Sequence, residues 1–288
     1  MIKVLIATFS QSGATKKVAY RIANGLASEG CQVTHHKING DRPPGLAGFD
    51  LIGIGTPTYF FTAPLLVKEF VNNLYGLESK STFVFTTQGT HRGNCGNWLI
   101  NKLRRKGAEN LGYFHCFGAD YWLGYLKRGT LFSPDSPDEV ELAHSERFGK
   151  KLFSQLKENQ FDRGKPDKAT PFIYSLERMV LTRPFIKYFY SRAFYADRKC
   201  THCGECIRKC PVRNIAEKSN GKLKWETNCM MCCTCELCCP ENAIHSAADW
   251  ILFAPFMKYN IRSSKKKGIP FTKVVSPTID FIHSGNSP

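Results

Sequence analysis

The chain begins with a short apolar run, Met1-Ile2-Lys3-Val4-Leu5-Ile6-Ala7, that stops at a polar loop, and it then sets Val18, Ala19, Ile22, Ala23 and Leu26 at helical spacing. The run reads as a buried strand and the spaced set as an amphipathic helix. The same alternation repeats downstream. Further strands are predicted at 31–38, 50–55, 82–86 and 113–118, with helices at 65–74 and 95–106 and a last one near 139–156. Strands separated by helices specify a parallel α/β sheet, here of five strands. From about residue 158 to 199 the pattern breaks, and Gly164-Lys165-Pro166-Asp167 reads as a linker.

A parallel sheet of this kind binds its ligand beyond the carboxyl ends of the strands, at the switch point between the first and third. Thr8-Phe9-Ser10-Gln11-Ser12-Gly13-Ala14-Thr15 falls there, between strand and helix. Helix N–H groups and the hydroxyls of Ser10, Ser12 and Thr15 make it an anion site. It lacks the Gly-x4-Gly-Lys-Ser/Thr pattern of a nucleotide-triphosphate loop. It resembles instead the flavodoxin phosphate loop, Thr/Ser-x-Thr/Ser-x-Thr/Ser-Gly-x-Thr, at every specified position. The resemblance implies FMN, with its phosphate on Ser10, Gln11, Ser12, Gly13, Ala14 and Thr15. Two further loops, Gly55-Thr56-Pro57-Thr58-Tyr59-Phe60 and Thr86-Thr87-Gln88-Gly89-Thr90, match those with which flavodoxins hold the isoalloxazine ring. The ring residues so implied are Pro57, Thr58, Tyr59, Phe60, Thr87, Gln88 and Gly89. Tyr59 and Phe60 either lie against the flavin or plug the sheet end. Tyr121 and Trp122 either close the far side of the site or pack in a core. Cys95, at a helix start, reads as an inert thiol more readily than a reactive one, and Cys116 reads as core.

The second chemical signal is a cysteine repeat. Cys200-x2-Cys203-x2-Cys206-x3-Cys210-Pro211 recurs 29 positions later as Cys229-x2-Cys232-x2-Cys235-x3-Cys239-Pro240, and the match extends to Ile215 and Ile244. A frame through Cys232, Cys235 and Cys238 fails, because it puts Asn242 at the fourth ligand place. A structural zinc site needs four ligands per ion and has no use for this interleaved spacing. The repeat resembles the bacterial ferredoxin module with two [4Fe–4S] clusters. That resemblance implies one cluster on Cys200, Cys203, Cys206 and Cys239 and the other on Cys229, Cys232, Cys235 and Cys210. Cys233 and Cys238 are left over as small buried side chains.

Length and composition agree with two domains: 288 residues, 42% hydrophobic and 22% charged. The first apolar run is shorter than the ~15 to 30 residues of an export signal, and no run reaches the ~18 of a membrane span. A soluble, cytoplasmic protein is expected. Two aromatic and basic tracts, 178–190 and 250–259, flank the cysteine repeat. They read first as arms that pack on the domains, then as membrane-surface anchors, and last as nucleic-acid binders. The formal net charge is +16. Each cluster and the FMN phosphate would bring about −2, leaving a negative cluster module between positive arms, suited to an acidic redox partner such as ferredoxin.

The whole resembles the flavodoxin–ferredoxin fusion proteins of anaerobic microbes. The fold implied is a five-stranded parallel flavodoxin-like sheet over 1–160, an arm over 161–194, a small α+β ferredoxin-like domain over 195–248, and a second arm over 249–288. The function implied is electron transfer between a low-potential donor, the clusters and FMN. The alternatives are an FMN-dependent reductase of an organic substrate such as a quinone and a redox-sensing nucleic-acid regulator. No general acid, base or nucleophile constellation stands out. Without a Gly-x-Gly-x-x-Gly run a Rossmann nicotinamide site is unsupported. Donor and terminal acceptor are not named by the sequence.

Overall fold

The computed structural model describes residues 1–161, 167, 182–251 and 254–275. The linker residues Gly164, Lys165 and Pro166, positions 178–181 of the first aromatic tract, and Leu252 and Phe253 of the second lie outside the described residues. The chain forms two compact units, one from 1–118 with 135–172 and the other from 119–134 with 173–288.

In the first unit β1 (Lys3–Thr8), β2 (Gln32–Lys37), β3 (Leu51–Pro57), β4 (Ser81–Gln88) and β5 (Glu109–Phe117) form one sheet in the order β2-β1-β3-β4-β5. Every pairing is parallel, and the order is that of a flavodoxin-like sheet. The central strands β3 and β4 are buried almost throughout, as strands covered on both faces must be. The edge strand β2 is mostly exposed. Helices α1 (Ala14–Ala27), α2 (Leu65–Asn73) and α3 (Cys95–Arg104) connect the strands. Phe83 and Phe85 on β4 are fully buried with Val4, Ile6, Ile22, Leu26 and Leu111, and each such side chain contributes roughly 2 kcal/mol by leaving water.

Strand β5 begins at Glu109, four residues before the predicted start. Its polar first turn, Glu109-Asn110, hides the strand from a reading based on apolar runs, yet it pairs with Ser81 and Thr82 before a register shift ahead of Phe83. After β5 comes α4 (Leu123–Leu126) with the short strand β6 (Leu131–Phe132), both within the 119–134 excursion that groups with the second unit. The chain then returns in α5 (Glu139–Lys157), whose start carries a full capping box between Asp138 and Glu141.

The second unit contains α6 (Arg183–Tyr188), β7 (Tyr195–Ala196), α7 (Glu205–Arg208), β8 (Ile215–Glu217), β9 (Leu223–Trp225), α8 (Thr234–Leu237), β10 (Ile244–His245), α9 (Ala254–Lys266) and β11 (Phe271–Thr272). The 29-residue repeat is a repeat of backbone. Helices α7 and α8 are 29 apart, and three pairs of residues at that offset share left-handed φ angles: His202 and Met231 (55° and 58°), Gly204 and Cys233 (74° and 60°), Arg213 and Asn242 (49° and 48°). A separate small core of Tyr125, Phe132, Met257 and Ile269 joins the excursion to α9.

Candidate functional site

In the first unit, four loops meet at the carboxyl ends of β1, β3, β4 and β5. The Phe9 N–H donates to the Gly55 carbonyl at 3.0 Å, Thr58 N–H to Thr87 O at 2.8 Å, and Gly118 N–H to Gln88 O at 2.9 Å. Tyr59 Oη donates to Gln11 Oε1 at 2.6 Å. The buried hydroxyls of Thr15 and Thr87 share a hydrogen bond of 2.8 Å, which ties the first turn of α1 to the end of β4. Gly13 precedes α1 in a left-handed conformation, and the helix start has no side-chain cap, so its N–H groups and positive dipole end face the loop that holds Ser10 and Ser12. Ser10 Oγ also accepts from Lys16 N–H at 3.3 Å.

The loop after β3 turns back sharply. Tyr59 and Thr62 exchange N–H···O bonds of 2.9 and 3.0 Å, and the two residues between them, Phe60 and Phe61, both have positive φ, 47° and 64°. Such a tight turn favours Asn-Gly, and a bulky residue in left-handed backbone costs roughly 1 to 2 kcal/mol. Strain of this kind is typically held at ligand sites. The neighbouring loop is built to admit it: a Cβ on Gly93 would lie 2.4 Å from the Phe61 Cα and carbonyl oxygen, and Asn94 N–H donates to that oxygen at 2.8 Å. Tyr59 meets Phe9 edge-on at 6.1 Å.

At the end of β4 the side-chain carbonyl of Gln88 is buried and, among the described residues, has no hydrogen-bond partner. A buried acceptor left so costs about 1 to 3 kcal/mol unless a ligand donor meets it. Uncapped helix, loop hydroxyls, aromatic turn and orphaned carbonyl together have the chemistry for a phosphate and a flat ring carrying an N–H, and thus fit FMN. Tyr121 and Trp122 belong to the second unit, where the Trp122 indole N–H points to Met257 Sδ at 3.5 Å.

Behind these loops lies a polar cluster that sequence reasoning missed. Asp167, read as linker, has a fully buried carboxylate. It accepts from Asn97 N–H at 3.2 Å and pairs with Arg92 Nε at 3.3 Å, so it caps α3, whose own start has no side-chain cap. Burial outweighs these partners and holds its pKa above the usual carboxylate value. Arg92 also contacts the ring of His115. His115 is an exposed residue, yet partial desolvation of its ring, and then the Arg92 charge, pull its pKa down to about 4. Cys95 is fully buried, and burial pushes its thiol up to about 12, which leaves it unreactive. Cys116 is likewise buried, with its pKa raised.

In the second unit the eight motif cysteines line two pockets. Cys200, Cys203, Cys206 and Cys239 line one. Cys210, Cys229, Cys232 and Cys235 line the other, and Cys233 borders it as well. Each pocket therefore takes three motif cysteines from one run and the fourth from the other. All thirteen cysteines are free thiols. Among the described residues no three His, Cys, Asp or Glu side chains gather for a single metal ion, whereas a cubane spreads its four thiolates over separate irons. Backbone donors aim at motif sulfurs in both repeats: Asn214 N–H to Cys210 Sγ at 3.2 Å and Ala243 N–H to Cys239 Sγ at 3.3 Å, again 29 apart. Met231 N–H reaches Cys229 Sγ at 3.4 Å. In the first set Cys203 is exposed and Cys206 and Cys239 are buried, whereas all four cysteines of the second set are partly exposed. Phe194 stacks on Trp225 at 5.6 Å in the wall of the second pocket.

Cys233 and Cys238 are buried. Their thiols point at the carbonyls of Met231 and Cys235 at 3.8 and 3.6 Å. Beside them Lys127, from the excursion, places its ammonium 2.9 Å from Glu236 Oε1 and 2.7 Å from Asp249 Oδ1. Burial alone would lower the Lys127 pKa, but Glu236 and Asp249 raise it above its ordinary value.

The model of the flavodoxin domain family matches residues 5–128. A NAD(P)H dehydrogenase (quinone) of Sinorhizobium fredii is 24% identical over 197 residues, covering 53% of this chain and 99% of the relative. Among solved structures, an archaeal flavodoxin aligns with a TM-score of 0.44 at 18% identity, over 54% of this chain and 99% of its own. Oxidised flavodoxin 1 of Bacillus cereus aligns with a TM-score of 0.42 at 19% identity, over 53% and 97%. The N-terminal half is thus a flavodoxin-like domain.

Proposed function

We propose that this chain, a flavodoxin-like domain followed by a cysteine-rich unit, is an iron–sulfur flavoprotein that moves electrons between two [4Fe–4S] clusters and FMN. The observation that carries the reading is the division of the eight motif cysteines between two pockets in crossed sets. When bound, the clusters supply single-electron transfer and FMN supplies exchange of one or two electrons. The residues of the chain do the rest. Exposed Cys203 offers the first set to an external partner, for which an acidic redox protein such as ferredoxin is the candidate, while the four cysteines of the second set are partly exposed. Backbone N–H groups of Asn214, Ala243 and Met231 draw charge from ligand sulfurs, which favours the reduced state. Ser10, Ser12 and the start of α1 would hold the FMN phosphate, and Gln88 with the 59–62 turn would hold the ring.

One experiment tests both halves. The Ser12→Ala, Thr15→Ala double variant should purify with full iron and little FMN. Reduced ferredoxin should still bleach its iron–sulfur absorbance, while transfer onward to an acceptor dye stops. Undiminished FMN would contradict the phosphate site, and onward transfer without FMN would contradict the order of carriers.

A second reading, reduction of a quinone at the flavin with the clusters as internal wiring, is favoured by similarity to the Sinorhizobium protein named for that activity. Steady turnover of a soluble quinone with reduced ferredoxin, lost in the same double variant, would establish it.

A further inference from the structure

We infer that the second unit docks on an anionic lipid surface through the two tracts that flank its cysteine repeat. The inference is independent of the clusters and of FMN.

Both tracts carry exposed apolar tips. Tyr188 and Phe189 are 50% and 68% exposed, and Trp250 and Ile251 are 50% and 89% exposed. The tips belong to neighbouring segments. Tyr190, next to Phe189, reaches the Ser246 hydroxyl at 3.4 Å. Strand β7, just after the first tip, pairs with β10, just before the second. The short helix Ala247–Asp249 and helix α9 both pack on α4. On α9, Met257, Asn260 and Ser264 face inward, while Lys258, Tyr259, Arg262 and Lys266 are exposed at i, i+1, i+4 and i+8, along one outward face.

The charge around these tips is predominantly positive, with Asp249 beside Trp250 paired to Lys127. Residues 254–275 hold six Lys or Arg and no Asp or Glu, and residues 183–199 hold five Lys or Arg and one Asp. Aromatic and aliphatic tips set among lysines and arginines are the composition of an interfacial anchor: rings enter the headgroup layer and the basic groups meet lipid phosphates. Among the described residues no helix is long and apolar enough to cross a membrane, so the contact is peripheral. An acidic protein would be met by the basic groups, yet it would give no reason for Ile251 to stand almost fully exposed.

The test is flotation of the full-length holoprotein with vesicles of phosphatidylcholine mixed with phosphatidylglycerol, against vesicles of phosphatidylcholine alone. The protein should float with the mixed vesicles only and be released by high salt. Lys258→Glu with Arg262→Glu and Lys266→Glu should weaken partitioning on the order of a hundredfold or more, at about tenfold or less per basic group near the surface. Phe189→Ser with Ile251→Ser, at separate positions, should weaken it also, with unchanged circular dichroism. Absence of flotation, equal flotation with neutral vesicles, or retention by both variants would overturn the inference. Binding of ferredoxin or an oligonucleotide by the charge variant's parent, without flotation, would assign the patch to that partner instead.

Discussion

Cys233 takes the left-handed backbone, φ 60°, that Gly204 takes at the equivalent position of the first repeat, φ 74°. Both stand immediately before a short helix that carries the third cysteine of its run. Glycine holds that conformation freely, whereas cysteine does so against its Cβ. Cys233 thus borders the second pocket at a place where the repeat demands a left-handed backbone and the first run has no thiol. Cys233→Ala keeps the strain, and Cys233→Gly removes it. Anaerobic thermal unfolding should find the glycine variant more stable than the alanine variant by roughly 1 kcal/mol, and both should retain the iron of the parent. Loss of iron in either would show that Cys233 is a ligand.

The Phe60–Phe61 turn stores strain that a ligand can use. Phe60→Asn with Phe61→Gly supplies the residues the turn favours and should stabilise the FMN-free protein by about 2 kcal/mol. FMN affinity, measured by fluorescence quenching, should fall by about tenfold or more as the aromatic faces are lost. An unchanged affinity would make the two rings mere plugs of the sheet end.

The flavodoxin-like sheet and the cysteine runs were legible in the sequence because their signals are local. Apolar periodicity marks β1, β3 and β4, and x2, x2, x3-Pro spacing needs no knowledge of neighbours. What was not legible depends on distant contacts. Lys127 reads as any surface lysine until Glu236, 109 residues later, is brought to it. Asp167 reads as linker until it meets Asn97 and Arg92. The grouping of 119–134 with the second unit rests on Trp122 and Phe132 packing near Met257, which no spacing announces. Phe61 lay one residue past the predicted loop, and its companion Gly93 was the one available signal.

Lys127 and Glu236 are 21% and 2% exposed at their side chains. Removing one partner of a buried pair leaves an uncompensated charge and costs about 3 to 5 kcal/mol. Lys127→Met should lower the urea midpoint accordingly, and adding Glu236→Gln should recover much of the loss. A lysine variant as stable as the parent would show that the pair contributes nothing.

His115 adds a small acid-side slope to stability. Partial desolvation and Arg92 lower its folded pKa to about 4, while an unfolded histidine titrates near ~6.5, and solvent around the exposed residue reduces the effect. Between these values the unfolded chain binds more protons, so stability is full above the window and falls as pH drops through it. His115→Gln should flatten that part of the stability–pH profile without changing stability at pH 8. An identical slope in parent and variant would place the titrating group elsewhere.

A cubane in each of the two cysteine pockets and one flavin on the strand-end loops fix the cofactor content of the holoprotein, which anaerobic quantification of the purified chain measures. About eight irons, eight acid-labile sulfides and one FMN per chain are expected. Zinc in place of iron, four irons in place of eight, or iron without flavin would contradict the account.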